Sequence, residues 1–341
     1  MFSNLIGQPQ AIELLQQAIA RERIAPAYLF AGPSGTGKSL AAKRFSQQLL
    51  CLGLPSQHHQ SVHQRLTAGN HPDFLLVEPT YQHQGQAISE AEAAASGLKR
   101  KAPPQIRIEQ VRELVQFLSR PPLEAKRAVA VIEEAQSMAE AAANALLKTL
   151  EEPGRATIIL LAPNRDSLLP TLVSRCQQVS FYRLSEVDMT TVLRRCGGQA
   201  VLDYPELLEI AQGSPGQAIA SLSQFQAIPE ALRQRLTQLP KSHLDALDLA
   251  KTITKELDTQ AQLWLIDYLQ SFYWRRWQQK YLLDLLEKTR QQLLSYVQPR
   301  LVWECTLLAC YSTIAFTFEM RSEEHTSELQ SHSDLVCRLL L

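Results

Sequence analysis

Eight consecutive residues near the N-terminus have the composition and spacing of a phosphate-binding loop. They follow a short apolar run at 27–30 and precede a stretch with helical spacing at 40–50. In such a loop, glycines let backbone N–H groups point into one concavity, the lysine reaches the terminal phosphates and the serine hydroxyl binds Mg²⁺. The sequence therefore predicts a nucleoside triphosphate site, whose residues are Gly32, Pro33, Ser34, Gly35, Thr36, Gly37, Lys38 and Ser39.

Two consecutive carboxylates follow another apolar run, at 128–132. Open α/β sheets place their chemistry at the carboxyl ends of buried strands, where Glu133 and Glu134 are expected. Glu133 would hold the Mg²⁺ that accompanies the triphosphate, and Glu134 would orient and polarise the attacking water. A solvated strand end is the alternative interpretation, and the loop upstream favours the functional one.

Alternating elements must position these residues. Helical spacing predicts helices between the strands, and apolar runs predict buried strands at 27–30, 74–77, 128–132, 157–162 and 177–181. This alternation predicts an α/β core with a mainly parallel sheet and helices on both faces. Residues 52–70 are predicted to form a polar loop, and 78–104 a surface insertion that ends in the solvated basic run Lys99-Arg100-Lys101.

Strand patterns end near residue 182, and helical patterns follow. We predict a nucleotide-binding domain at 1–182, a small helical lid at 183–225 and an all-helical domain at 226–318. Residues 319–341 are polar and aperiodic, resemble translated vector sequence and are expected to be non-native.

Composition restricts the classes of function. The 341 residues carry a formal net charge of +0 and six scattered cysteines, so no general affinity for nucleic acid and no disulfide framework is indicated. Without a leader-like N-terminus or an apolar run of about 18 residues, we expect a cytoplasmic protein with no membrane contact. Cys51 with His58, His59 and His63 supplies too few paired ligands for a structural zinc site.

Four further motifs carry a family resemblance. They are Asn144-Ala145-Leu146-Leu147-Lys148-Thr149-Leu150-Glu151-Glu152-Pro153, Ser174-Arg175-Cys176, His71-Pro72-Asp73 and Ile108-Glu109-Gln110-Val111-Arg112. On these motifs, residues 1 to about 309 resemble the delta-prime subunits of the bacterial DNA polymerase III clamp loader, which belong to the AAA+ superfamily. Residues 78–105 are similar to cyanobacterial versions.

The resemblance implies a partner set and a mechanism. Other clamp-loader subunits would form a pentameric core through helical collar domains, here 226–318, and the assembly would load the sliding clamp on primed DNA. ATP with Mg²⁺ would lie between neighbours, and Arg175 would act in trans as an arginine finger on the adjacent subunit's phosphates. Asn164, or Pro163 beside it, falls near the family's sensor position on the fourth strand.

Departures from the family pattern concern hydrolysis and metal. Glu133 stands where aspartate is usual, and only Cys51 remains of the family's four zinc cysteines, so zinc is not expected. The sensor arginine expected after the lid's Gly-Ser is absent from Gly213-Ser214-Pro215-Gly216, which implies weak or absent hydrolysis by the chain itself. Two alternatives stay open: an autonomous AAA+ motor, such as a loader motor subunit or a branch-migration helicase, and a scaffold with a vestigial pocket.

Overall fold

The computed structural model describes residues 2, 4–83, 86–88, 92, 103–152, 154–295 and 297–312. These residues group into two compact units: a first unit of residues up to 199 together with 212–217, and a second unit of 200–211 together with residues from 218 onward. The basic run at 99–101 and the expected non-native tail at 319–341 lie outside the described residues. The three-domain division at 182 and 225 stays a prediction.

The first unit alternates strands and helices, as the sequence patterns predict. Its helices are α1 (Pro9–Ala20), α2 (Lys38–Cys51), α3 (Ser56–Thr67), α4 (Ile108–Ser119), α5 (Glu140–Glu151), α6 (Pro170–Val173) and α7 (Glu186–Arg195). Its strands are β1 (Ala27–Ala31), β2 (Phe74–Val77), β3 (Tyr81–His83), β4 (Gln86–Ile88), β5 (Ala128–Ile132), β6 (Ala156–Ala162) and β7 (Gln177–Ser180). Single 3-10 turns at Ala135–Ser137 and Arg165–Ser167 follow β5 and β6.

Five strands form one parallel sheet in the order β2-β5-β6-β1-β7. Its interior strands are fully buried and continuously apolar, as parallel strands covered on both faces must be. Alternate side chains enter two cores: Tyr28 and Phe30 of β1 pack with α1, α2 and α3, whereas Leu29 packs with α4 and α5. The predicted α/β core, with helices on both faces of a parallel sheet, is confirmed.

Two segments differ from expectation. Residues 52–70 do not form a simple polar loop, because α3 lies there and buries Val62 and Leu66, one helical turn apart, in the core. The segment expected to be an aperiodic insertion begins with the antiparallel hairpin β3–β4, and Thr80 pairs with Gln105 at its base.

The second unit is helical in its described elements. They are a 3-10 turn within Gln199–Asp203, then α8 (Pro205–Ala211), α9 (Pro215–Ala227, whose first turn belongs to the first unit), α10 (Glu230–Leu236), α11 (His243–Glu256), α12 (Thr259–Trp277), α13 (Lys280–Leu294) and α14 at 299–312. Its core contains Trp303, whose indole N–H donates to Gln262 at 3.0 Å, and Tyr273, whose hydroxyl donates to the Leu236 carbonyl at 3.1 Å. Across the described ranges, every helix is too short or too polar to cross a bilayer.

Candidate nucleotide-binding site

The carboxyl ends of β1, β5 and β6 meet at one edge of the sheet. The parallel register aligns Ala31 with Ala162, and Gly32 N–H donates to the Ala162 carbonyl at 3.2 Å. Above this edge lies an open cavity of about 330 Å³. Its walls are Ser34, Gly35, Gly37, Lys38, Ser39, Leu40, Glu133, Glu134, Gln136, Leu161, Ala162 and Pro163. The structure thus brings the predicted loop and both predicted carboxylates together.

The predicted phosphate-binding loop is held by its own backbone geometry. Gly35 and Gly37 have φ values of +76° and +100°, which residues with a Cβ rarely adopt. Gly37 is the N-cap residue of α2, so the helix N-terminus begins at Lys38 beside the cavity. Thr36 is buried and donates from its hydroxyl to the Pro33 carbonyl at 2.8 Å, which closes the turn.

Lys38 lies inside the loop and is 9% exposed. Its ammonium donates to the carbonyl of Gly32 and, at 2.7 Å, to that of Pro33. Burial lowers the pKa of Lys38 to about 8, and the negative charge of Glu133 opposes part of that shift. The cavity therefore contains a partly desolvated cation that anionic oxygens can stabilise.

The two carboxylates differ in their surroundings. Glu133 is half-buried, and its N–H donates to the Val77 carbonyl at 2.9 Å, which extends the β5–β2 pairing. Glu134 is exposed and has φ of +46°, a left-handed conformation that costs a residue with a Cβ about 1 kcal/mol. Such strain is concentrated at functional sites, and here it turns the chain sharply at the cavity wall.

Two contacts fasten the loop from elsewhere in the first unit, and the sequence reasoning missed both. Gln8 is buried; its amide donates to the carbonyls of Tyr182, at 2.6 Å, and Thr36, at 3.3 Å, and its oxygen accepts from Tyr182 N–H at 3.0 Å. Ser214 Oγ donates to the Ser34 carbonyl at 2.5 Å, and Gly216 N–H donates to the Gly35 carbonyl at 3.0 Å. Nothing in the local sequence distinguishes Gln8 from the polar residues around it, such as Asn4 and Gln10.

Two predicted residues lie away from the cavity wall. Asn164 is exposed, and its side-chain oxygen accepts from Ser167 N–H at 2.8 Å, which caps the 3-10 turn; its neighbour Pro163 lines the cavity instead. Arg175 is exposed beyond α6 and bonds to the Glu151 carboxylate and the Thr171 carbonyl.

The His71-Pro72-Asp73 motif has a structural role. Asp73 is buried, and its carboxylate accepts three backbone N–H groups, from Leu123 at 2.6 Å, Glu124 at 2.8 Å and Ala125 at 2.7 Å. His71 Nδ1 accepts from Asp73 N–H at 3.1 Å, and burial lowers the pKa of that imidazole. Within the described ranges, no three His, Cys, Asp or Glu side chains are grouped as metal ligands.

Two family models match consecutive stretches of the chain. The model described as DNA polymerase III, delta subunit, matches residues 7–185, and the model for the C-terminal domain of cyanobacterial DNA polymerase III delta prime matches 187–310. The chain belongs to the DNA polymerase III delta-prime family.

Delta-prime relatives are similar over part of their length. DNA polymerase III subunit delta' of Bacillus subtilis is 30% identical over 67% of this chain and 66% of the relative. The Pseudomonas aeruginosa subunit delta' is 35% identical over 59% of this chain and 57% of the relative. The matched stretch thus spans less than two thirds of either relative. A solved gamma subunit-related protein of Thermotoga maritima shares the fold, with a TM-score of 0.52 at 15% identity, over 89% of this chain and 99% of that one.

Proposed function

We propose that this delta-prime family member is a clamp-loader subunit that binds ATP with Mg²⁺ and supplies Arg175 in trans to a neighbouring subunit. It would help load the sliding clamp on primed DNA in the cytoplasm, within a pentameric core of clamp-loader subunits. The observation that carries the proposal is the single cavity that combines the glycine loop, the buried Lys38 ammonium and Glu133.

The residues present fit a nucleotide with its metal. Gly35 and Gly37 hold the loop open in left-handed conformations, and a buried ammonium lies beside a carboxylate. Residues 32–39 would hold the phosphates, and Ser39 and Glu133 would hold Mg²⁺. The bound metal would neutralise phosphate charge, and Glu134 would polarise a water molecule.

Weak hydrolysis by the chain itself is supported by what surrounds the cavity. Pro215 stands where the family's sensor arginine is expected, so that cation is missing. The Asn164 oxygen, expected to act as a sensor, is engaged as a helix cap. Both features argue against an autonomous motor, which needs the sensor arginine and a free sensor side chain. The buried Lys38 ammonium beside the Glu133 carboxylate argues against a scaffold, which does not need such a pair.

Arg175 is suited to act on another molecule because it is exposed and is not among the residues that line the cavity of its own chain. Its planar guanidinium keeps its charge and makes bidentate contacts with phosphate. The helical domain at 226–318 is the proposed collar that joins the subunits.

One experiment with two variants tests the proposal. ATP binding is measured with and without Mg²⁺ for the unchanged chain and for Lys38→Ala. Steady-state ATP hydrolysis by the isolated, unchanged chain is measured in addition. We expect binding that Lys38→Ala weakens at least ten-fold, and turnover well below the ~1–10³ s⁻¹ typical of enzymes. Unchanged affinity in Lys38→Ala would favour the vestigial scaffold, and turnover in the enzyme range would favour the motor.

The second variant tests the role in trans. Arg175→Ala should leave ATP binding by this chain intact, since the residue lies outside the cavity. In the loader assembled with its other subunits, the same variant should lower hydrolysis at the site that Arg175 serves by about 10³-fold. Normal hydrolysis by that assembled variant contradicts the role in trans.

A further inference from the structure

The C-terminal end of α5 holds the exposed arginine beyond α6. Arg175 Nε and Nη2 both donate to Oε1 of Glu151, at 3.0 Å and 2.6 Å. Nη1 of the same guanidinium donates to the Thr171 carbonyl at 2.9 Å. Because these contacts come from two directions, they fix the plane of the guanidinium as well as its position.

The Arg175 guanidinium is hydrogen-bonded within the chain but remains accessible from outside. A guanidinium has five N–H donors, and three of those of Arg175 are used in these contacts. Within the described part of the chain, the other two have no hydrogen-bond partner. The side chains of Arg175 and Glu151 are 35% and 52% exposed, so an outside anion can reach the remaining donors.

Helix stability does not account for an acidic residue at this position. Glu151 is the last residue of α5, where the partial negative charge of the helix C-terminus disfavours a carboxylate. An exposed ion pair adds little stability in return. The adjacent Glu152 is also exposed and acidic, and no described residue pairs with it. The two neighbours therefore differ chiefly in their contact with Arg175.

We propose that Glu151 is a positioning residue that pre-organises Arg175 for a neighbour's triphosphate. The inference rests on the role in trans proposed above for Arg175. A free arginine side chain loses much rotamer freedom when it binds phosphate. Glu151 and the Thr171 carbonyl impose that order within the chain before the neighbour docks.

The test compares loaders assembled with Glu151→Ala, Glu151→Gln, Arg175→Ala or Glu152→Gln. The quantity compared is the part of the ATPase kcat that Arg175→Ala removes. Glu151→Ala should lower it about five-fold, equivalent to about 1 kcal/mol, the upper range for an exposed pair, with KM for ATP unchanged. Glu151→Gln should be intermediate, because its amide oxygen still accepts but carries no charge. Glu152→Gln is the matched control and should behave as the unchanged chain.

A second readout needs no partner subunits. In the isolated chain, the Nε–H of Arg175 should exchange slowly with solvent by ¹⁵N NMR, rapidly in Glu151→Ala, and slowly again in Glu152→Gln. If Arg175→Ala impairs the loader and Glu151→Ala does not, the positioning role is overturned and the role in trans stands. If Arg175→Ala itself has no effect, the proposed function fails and the positioning role fails with it.

Discussion

Lys38 and Arg175 are cations in opposite surroundings. Lys38 is enclosed by the carbonyl groups of its own loop, and burial lowers its pKa to about 8. Arg175 is exposed and paired with a carboxylate. The Lys38 ammonium is a desolvated charge that a bound anion would stabilise, whereas the Arg175 guanidinium already pairs with a carboxylate at the surface. This contrast suits binding within the chain and action on another chain, respectively.

The lowered pKa of Lys38 predicts how ATP affinity depends on pH. Bound phosphate would raise the pKa of Lys38. Above about pH 8, where the free ammonium is largely deprotonated, ATP binding must therefore be accompanied by protonation of Lys38. The affinity of the chain for ATP should therefore fall between pH 8 and pH 9.5, by at most about ten-fold per pH unit. Calorimetry in buffers of different ionisation enthalpy should detect proton uptake over the same range.

Lys38→Ala is the control for this titration. Its weaker binding should have no such pH dependence above pH 8, because the titrating group is gone. A slope that persists in Lys38→Ala would assign the effect to another group.

The positions of the site residues were predictable where they depend on local spacing. The loop from Gly32 to Ser39 and the pair Glu133-Glu134 are each contiguous, and strand ends place them at one edge. The contact between Gln8 and Tyr182 joins residues 174 positions apart, and that between Arg175 and Glu151 joins residues 24 apart. Spacing contains no information on such pairs, because they arise only when the sheet sets neighbouring elements side by side.

At the scale of elements, Asp73 joins the start of β2 to the segment that leads into β5. Its two carboxylate oxygens accept the N–H groups of Leu123, Glu124 and Ala125. Arg65 of α3 binds the Glu124 side chain at 2.6 Å on the same segment. The turn before β5 is therefore fixed by a buried charge, and β5 carries Glu133 at its other end.

We expect Asp73→Asn to destabilise the first unit by about 3 kcal/mol, although the two side chains have the same shape. An amide must turn its own N–H₂ toward backbone N–H donors on one side or the other, since both carboxylate oxygens accept. Urea unfolding measures the loss. Asp284→Asn, at an exposed position of α13, should change stability by less than about 0.5 kcal/mol, and an equally small change for Asp73→Asn would contradict this role.

Strands were easier to predict than α3 and the β3–β4 hairpin. Parallel strands buried on both faces are continuous apolar runs, so β1, β5 and β6 stand out in the sequence. In α3 only Val62 and Leu66 are buried among glutamines and histidines, and the helix is stabilised by packing on the core rather than by its own pattern. Two apolar residues are too few to give a helical periodicity from which α3 could be predicted.

At the scale of the whole molecule, the second unit presents large apolar side chains to solvent. Leu294 of α13 is 57% exposed and Leu301 of α14 is 52% exposed. Leucines in these positions are available to a partner if this unit is the collar of a clamp loader, as proposed.

Leu301→Glu should leave the thermal midpoint of the isolated chain nearly unchanged, because the side chain is already exposed. Its affinity for the other loader subunits should fall about 30-fold, as expected when a charge enters the centre of an interface. Analytical ultracentrifugation of the mixed subunits measures this. Leu123→Glu, at a 78% exposed position of the first unit, is the control, and equal assembly of both variants would exclude Leu301 from the interface.

The α/β core and the helical C-terminal region were predictable from the alternation and periodicity of apolar residues, but the long-range contacts of residues 212–217 were not. Residues 212–217 lie within a stretch predicted as lid, yet they belong to the first unit. Ser214 and Gly216 bond to a loop about 180 residues earlier in the chain. Periodicity assigns residues to elements, and only tertiary packing assigns elements to units.

The approach of Gly216 to Gly35 restricts which residues position 216 of this chain can accept. A Cβ on residue 216 would lie 2.7 Å from the Gly35 Cα, closer than real Cβ contacts. No rotamer can relieve that clash, because the position of a Cβ is fixed by its own backbone and the atom it meets is a main-chain atom. Alanine at position 216 would push these two backbones apart and strain the hydrogen bond from Gly216 N–H to the Gly35 carbonyl. A methyl group at position 216 is thus expected to loosen the hold of this segment on the glycine loop.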